Sequence, residues 1–293
     1  MIDVVALGEM IVDFACQSTD EEGYPTMAAH PGGAPANFLA ALAKRGAKVA
    51  MLGRSLENAQ SVVDQITAEG GVVKAYACNV LDKARCREVA EEIKKDFGPC
   101  DILINGAGGN NPGGTTDKEY YEPGDIDADT KSFFDLDEEA VGGVFNLNFL
   151  GTLIPTQIFA AQMVGREGCS ILNISSMNAY TPLTKIPAYS GAKAAVSNFT
   201  QWLAVHFSKV GIRVNGIAPG FFSSKQNAKL LWNDDGTPTA RTGKILSATP
   251  MGRFGQPEEL EGALLFLLNE KAAGFITGVV IPVDGGFSAY SGV

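Results

Sequence analysis

Seven short apolar runs rich in Val and Ile recur between helix-length amphipathic stretches, and this alternation constrains the fold more than any other feature of the chain. The runs cover residues 4–7, 48–52, 72–77, 101–105, 170–174, 212–217 and 278–283. They are apolar throughout rather than alternating, as strands covered on both faces must be. Helical patterns lie near 35–46, 56–69, 82–96, 136–164, 187–209 and 257–268. Strands alternating with helices imply right-handed crossovers and an α/β fold with a doubly wound parallel sheet of Rossmann type. The 293 residues contain no repeat, low-complexity tract or linker, so a single domain with a sizeable core is expected.

A hydrophobic share of 45% excludes a disordered chain. Lys plus Arg number 23 against 33 Asp plus Glu, a formal charge of -10. That balance argues against nucleic-acid binding and against docking on an anionic membrane, and an anionic substrate would need a local basic pocket. The five cysteines (Cys16, Cys78, Cys86, Cys100, Cys169) form no C-x-x-C pair. They suggest a reducing compartment rather than a disulfide framework or zinc ribbon. With no basic leader at Met1-Ile2-Asp3, the expected location is cytoplasmic. The longest apolar run, about 262–268, falls short of the roughly 20 residues that span a bilayer.

No metal is expected. His30 and His206 are the only histidines, and the triplet Asp125, Asp127, Asp129 lacks the glycine and glutamate of a calcium loop, having Thr130 and Leu136 instead. No P-loop is present. Three segments exceed a minimal sheet: 9–31 loops out between the first strand and helix, while 108–135 and 221–250 leave strand ends. Ligands of open α/β sheets sit at the carboxyl ends of the strands. The last two segments are therefore read as pocket walls, with 221–250 as a substrate lid.

The chemistry-bearing pattern is Tyr189-Ser190-Gly191-Ala192-Lys193 at the start of a helix, with Ser176 at the end of a strand run thirteen residues earlier. Tyrosine and lysine four apart share a helix face. A free phenol, with a pKa near 10, is a poor base at neutral pH. A lysine cation one turn away favours phenolate, and a serine hydroxyl beside it can polarise a carbonyl oxygen. Such a set suits protonation of a carbonyl that receives a hydride.

On these residues the chain, over about 45–293, resembles the short-chain dehydrogenase/reductase family. Asn105-Gly106-Ala107-Gly108 matches the motif that supports the sheet under the cofactor. Asn148 matches the helix asparagine of a catalytic tetrad completed by Ser176, Tyr189 and Lys193. Pro219-Gly220, with Ser224 at the family's threonine position, resembles the nicotinamide contact, and Val283-Asp284-Gly285-Gly286 matches the close of the last strand. The resemblance implies NAD or NADP as cofactor, with Tyr189 and Lys193 also holding it, and a homotetramer. The stretches 175–185, 198–204 and 286–290 are similar to the mannonate oxidoreductase (fructuronate reductase) branch, which interconverts a six-carbon keto-uronate and its aldonate. The implied partner is a small sugar acid. Lys185, Asn178, Arg253, Lys225, Lys229, Arg241 and Lys244 are candidate partners for its carboxylate.

The family's opening departs from this pattern. Its glycine-rich phosphate turn would place glycines at 29, 33 and 35, where this chain has Ala29, Gly33 and Pro35. Residues 1–54 instead resemble the start of a ribokinase/fructokinase-type sugar kinase, in Asp3-Val4-Val5-Ala6-Leu7-Gly8-Glu9 and Gly32-Gly33-Ala34-Pro35-Ala36-Asn37. The kinase's phosphoryl-transfer aspartate motif is missing. Gly33 before a helix N-terminus could still meet a phosphate. Gly53 stands where NAD users carry an acid, Arg54 could meet a 2'-phosphate, and Asn79 replaces an adenine-contacting aspartate. Three readings follow: an NAD(P)-dependent sugar-acid oxidoreductase, a folded but catalytically impaired relative, or a sugar-binding remnant of a kinase.

Overall fold

The computed structural model describes the backbone of residues 3–7, 11–19, 25–32, 34–222, 231–233 and 235–292, and side chains from residue 39 onward except Asn58 and Ser61. All seven apolar runs are strands of one sheet: β1 Asp3–Leu7, β4 Lys48–Gly53, β5 Val72–Ala77, β6 Ile102–Asn105, β7 Cys169–Ile174, β8 Ile212–Pro219 and β9 Val280–Val283. Their order is β5-β4-β1-β6-β7-β8-β9, with every neighbouring pair parallel. Asp3–Leu7 takes an interior place between β4 and β6, Val5 pairing with Ala50 on one side and Leu103 on the other.

Strand residues alternate between two buried layers. Ala50, Leu52, Leu103 and Ile171 face a core shared with α3 (Lys83–Asp96), α5 (Gly151–Met163) and α6 (Pro187–His206). Val49, Met51, Ile102, Ile104 and Leu172 face the other, closed by α1 (Ala34–Ala43), α2 (Leu56–Ala68) and α8 (Glu261–Leu268). Burial on both faces explains why β4, β6, β7 and β8 read as continuous apolar runs.

Two sequence expectations are corrected. Residues 9–31 do not simply loop out: β2 (Ile11–Thr19) and β3 (Pro25–Gly32) pair antiparallel as a separate hairpin, with a register shift between Cys16 and Ser18. β-Branched and aromatic residues such as Ile11, Val12 and Phe14 suit that structure. The helix expected over 136–164 is α4 (Glu138–Phe145), one π-helical turn (Asn146–Leu150) and then α5. That whole run, Glu138–Met163, is 26 residues long and apolar enough to cross a membrane by length and composition, contrary to the estimate from uninterrupted apolar runs. Its apolar residues pack in the fold: Phe159 and Met163 are fully buried, and α5 lies against β6, β7 and α3.

Candidate active site

β7 ends at Ile174, and Ser176 begins the short turn Met177–Ala179, its hydroxyl accepting from the Asn178 N–H at 3.3 Å. Pro187 opens α6, a position where its fixed φ and missing N–H cost nothing. Tyr189 and Lys193 follow one turn apart. The Ser176 hydroxyl neighbours the Tyr189 phenol. Lys193 is 4% exposed; its Nζ donates to the Ile174 carbonyl at 2.9 Å and lies 5.7 Å from the centre of the Tyr189 ring.

Asn148 enters the same place from the π-helical turn. Its Nδ2 donates to the carbonyls of Val144 (2.8 Å) and Gly109 (2.7 Å), and its Oδ1 accepts the Gly109 N–H at 3.3 Å. A Cβ on Gly108 would sit 2.6 Å from Asn148 Oδ1 and 2.9 Å from Lys193 Nζ, so the glycine is what allows both groups to close on this backbone. The structure thus brings Asn148, Ser176, Tyr189 and Lys193 together at the carboxyl end of the sheet.

The electrostatics differ from the sequence expectation. Burial pushes the Tyr189 phenol above its ordinary value, and the neighbouring Ser176 hydroxyl opposes the rise. Burial also pushes the Lys193 ammonium down to about 8. Desolvation is the largest influence on both groups, and the Lys193 ammonium is held by its bond to the Ile174 carbonyl.

Below this cluster runs a buried polar network that the sequence reading did not single out. Asn105 Nδ2 donates to Thr156 Oγ1 (3.0 Å) and Asn173 Oδ1 (2.9 Å), and Asn173 Nδ2 donates to Thr200 Oγ1 (2.9 Å). Thr156 and Thr152 bond back to the carbonyls of Thr152 and Asn148 at 2.7 and 2.9 Å. The four-residue spacing Asn148, Thr152, Thr156 was the available signal. Gly109, which holds both ends of the Asn148 amide, carried none.

Beside the cluster, Gly53, Arg54, Asn79, Val80, Ala107 and Gly108 line a small cavity of about 30 Å³. Gly106 joins the end of β6 to it. At the far strands, the Gly220 N–H donates to Val283 O at 2.9 Å, and a Cβ there would strike Asp284 at 2.6 Å. Pro219 closes β8 beside it. Gly33, Ser224, Lys225 and Lys229 lie outside the described residues.

Two of the expected carboxylate partners are already engaged. Arg253 makes a two-pronged bond to Glu259 (2.7 and 2.6 Å), which holds that carboxyl down at about 2. Lys244, on α7 (Ala240–Ala248), meets Glu119 at 2.5 Å. Lys185 has a left-handed backbone, φ 72°, uncommon for a residue with a side chain, and its carbonyl accepts from the Thr116 N–H at 2.9 Å. Asn178 is buried, with Oδ1 unpartnered. Asp125, the first residue of the calcium-like triplet, instead accepts from Lys118 Nζ at 2.7 Å and from the Glu122 N–H at 2.9 Å.

A doubly wound parallel sheet carrying this cluster at its carboxyl edge defines a nicotinamide-dependent oxidoreductase acting on CH–OH groups. A model of the short chain dehydrogenase family matches residues 33–234, and the chain belongs to that family. An uncharacterized oxidoreductase of Haemophilus influenzae is 60% identical over 263 residues, 89% of this chain and 92% of the relative. The 5-keto-D-gluconate 5-reductase of Escherichia coli strain K12 is 31% identical over 245 residues, 84% of this chain and 87% of the relative. Among solved structures, a candidate D-mannonate oxidoreductase from Haemophilus influenza with bound NAD superposes with a TM-score of 0.88 at 53% identity, covering 99% of this chain and 96% of that one. The cofactor of this chain is NAD or NADP. Its residues fit such a group at two places: the side-chain-free surface of Gly108 between Asn148 and Lys193, and the cavity at Gly53, Arg54 and Asn79.

Proposed function

We propose that this protein interconverts a keto-uronate and its aldonate, fructuronate and mannonate being the expected pair, at the Asn148–Ser176–Tyr189–Lys193 cluster. The observation that carries the reading is the convergence of Asn148, Ser176, Tyr189 and Lys193 at the carboxyl end of the sheet, with Lys193 buried one turn beyond Tyr189 along the helix. The sugar-acid class is supported by the candidate D-mannonate oxidoreductase and the 5-keto-D-gluconate 5-reductase among its relatives. Of the described carboxylate candidates, Asn178, Lys185 and Arg241 have no carboxylate bond in the structure.

The dinucleotide, held by Gly53, Arg54, Asn79, Asn105-Gly106-Ala107, Tyr189, Lys193 and the 219–224 segment with Gly33 at the phosphate end, supplies or accepts the hydride when bound. Ser176 donates a hydrogen bond to the substrate oxygen as charge develops there. Tyr189, kept protonated by its burial, gives that oxygen its proton, so the site is set for reduction at neutral pH. Lys193 remains largely charged at pH 7 and stabilises the phenolate left behind. Asn148 fixes the Gly108–Gly109 backbone beside them. The 221–250 segment acts as the substrate lid. By resemblance the protein works as a homotetramer, and its scattered cysteines suit a cytoplasmic setting.

A second reading, a folded but impaired relative, rests on the β2–β3 hairpin that stands between β1 and α1 in place of a tight glycine turn. One experiment separates the two: purified protein is titrated with NADH and with NADPH, then assayed for fructuronate reduction. Micromolar saturation with turnover supports the enzyme. A cooperatively melting protein that binds neither nucleotide overturns it in favour of the impaired relative.

A further inference from the structure

One thiol lines the small cavity and a second lies directly behind it, and the catalytic reading uses neither. Cys78 follows the last residue of β5, its N–H donating to the Gly53 carbonyl at 2.9 Å, and it lines the cavity with Gly53, Asn79 and Val80. Cys86 lies in the first turn of α3. Their sulfurs are 3.5 Å apart, both free and both buried. Cys86 Sγ also approaches the Asn79 and Val80 carbonyls at 3.6 and 3.7 Å. The pair therefore straddles the base of the 78–80 loop, the floor of the cavity. Core cysteines in parallel-sheet proteins are usually separate small hydrophobes; here one sulfur is already the hydrogen-bond partner of the other.

We propose that Cys78 and Cys86 form a reversible thiol–disulfide pair, oxidised by a peroxide, whose closure deforms the 78–80 loop and weakens binding of the dinucleotide's adenine half. The inference rests on the proposed cofactor site for its consequence, though not for the disulfide itself. The balance is simple. Cys86 attacks one peroxide oxygen; the O–O bond breaks and water leaves, giving a sulfenic acid. The Cys78 sulfur then displaces its hydroxyl as a second water. Two S–H bonds are lost, one S–S bond forms, and the peroxide is reduced by two electrons. A disulfide needs its sulfurs near 2.05 Å, well inside the present 3.5 Å, so α3 and the loop must draw together. The hydrogen bond between the two sulfurs holds Cys86 below its ordinary thiol value, which favours the nucleophile assigned.

The full-length protein, reduced and then treated with hydrogen peroxide, tests this by thiol counting, peptide mass mapping and NADH titration. The expected result is loss of two of the five thiols and a Cys78–Cys86 linked peptide. The Kd for NADH should rise at least tenfold, reversed by dithiothreitol, and bound NADH should slow the oxidation. Cys86→Ser, whose hydroxyl can still meet the Asn79 and Val80 carbonyls, should keep its NADH affinity after peroxide; Cys86→Ala serves if the serine variant does not fold. Absence of the linked peptide overturns the pair. A linked peptide with unchanged NADH affinity overturns its control of the cavity. A protein that binds no NADH even when reduced fails the cofactor reading instead, and the linked peptide still decides whether the pair exists.

Discussion

Tyr189 and Lys193 are displaced by burial in opposite directions, each toward its neutral form. For Tyr189 this means a phenol that holds its proton until the substrate oxygen is charged enough to take it. Tyr189→Phe removes that proton and leaves the packing almost intact, so kcat for keto-uronate reduction should fall by about 10²–10⁴-fold while NADH affinity stays within a few-fold. Steady-state kinetics and a binding titration check this; a variant with wild-type turnover removes Tyr189 from the mechanism. For Lys193 the shift has a consequence for stability. Its folded value of about 8 lies below the ordinary lysine value of 10.5, so in this window the unfolded chain binds the extra proton. Stability must then rise with pH between about 8 and 10.5, and the full penalty applies below 8. Urea melts of wild type and Lys193→Met at pH 7.5 and 9.5 should show wild type gaining about 2 kcal/mol relative to the variant. A flat difference would mean that the ammonium is solvated.

At the scale of elements, the helix from 138 to 163 links core and site. Phe159 is fully buried against the sheet, and the same run carries Asn148 on its π-helical turn. Phe159→Ala should cost about 3–5 kcal/mol in urea denaturation, since it opens a cavity where no side chain can follow; a loss under 1 kcal/mol would mean that α5 is free to collapse inward. What the sequence revealed depended on the kind of signal each element leaves. Strands β4, β6, β7 and β8 were legible because burial on both faces forces apolar runs, and Ser176, Tyr189 and Lys193 because strand end and helix spacing fix their relation. The π-helical turn was not, because Asn146–Leu150 has ordinary helical composition and its extra residue shows only in backbone hydrogen bonds. The hairpin at 11–32 was hidden because its strands, Ile11–Thr19 and Pro25–Gly32, do not alternate cleanly and carry prolines and turn residues that read as a loop. The partners of Arg253 and Lys244 were hidden too: Glu259 is six residues from Arg253, but Glu119 is 125 from Lys244, and only the fold brings that pair together.

Over the whole molecule, the formal charge of -10 sets a condition on the proposed substrate. A sugar acid carries its own negative charge and must approach through a field that repels it, while two of the basic residues near the lid, Arg253 and Lys244, are already paired with carboxylates. Such repulsion acts over the Debye length, which shrinks from about 30 Å at 0.01 M to about 8 Å at 0.15 M salt. Raising ionic strength across that range should therefore increase kcat/KM for a keto-uronate by several-fold, and leave a neutral ketose of the same carbon number unchanged. Initial rates with both substrates at fixed NADH, corrected for any salt effect on NADH binding, make the comparison. A fall in kcat/KM for the acid would instead place an uncompensated cationic cluster at the mouth of the site, strong enough to reverse the field of the whole chain. Lys185 and Arg241 would then be the residues to replace first.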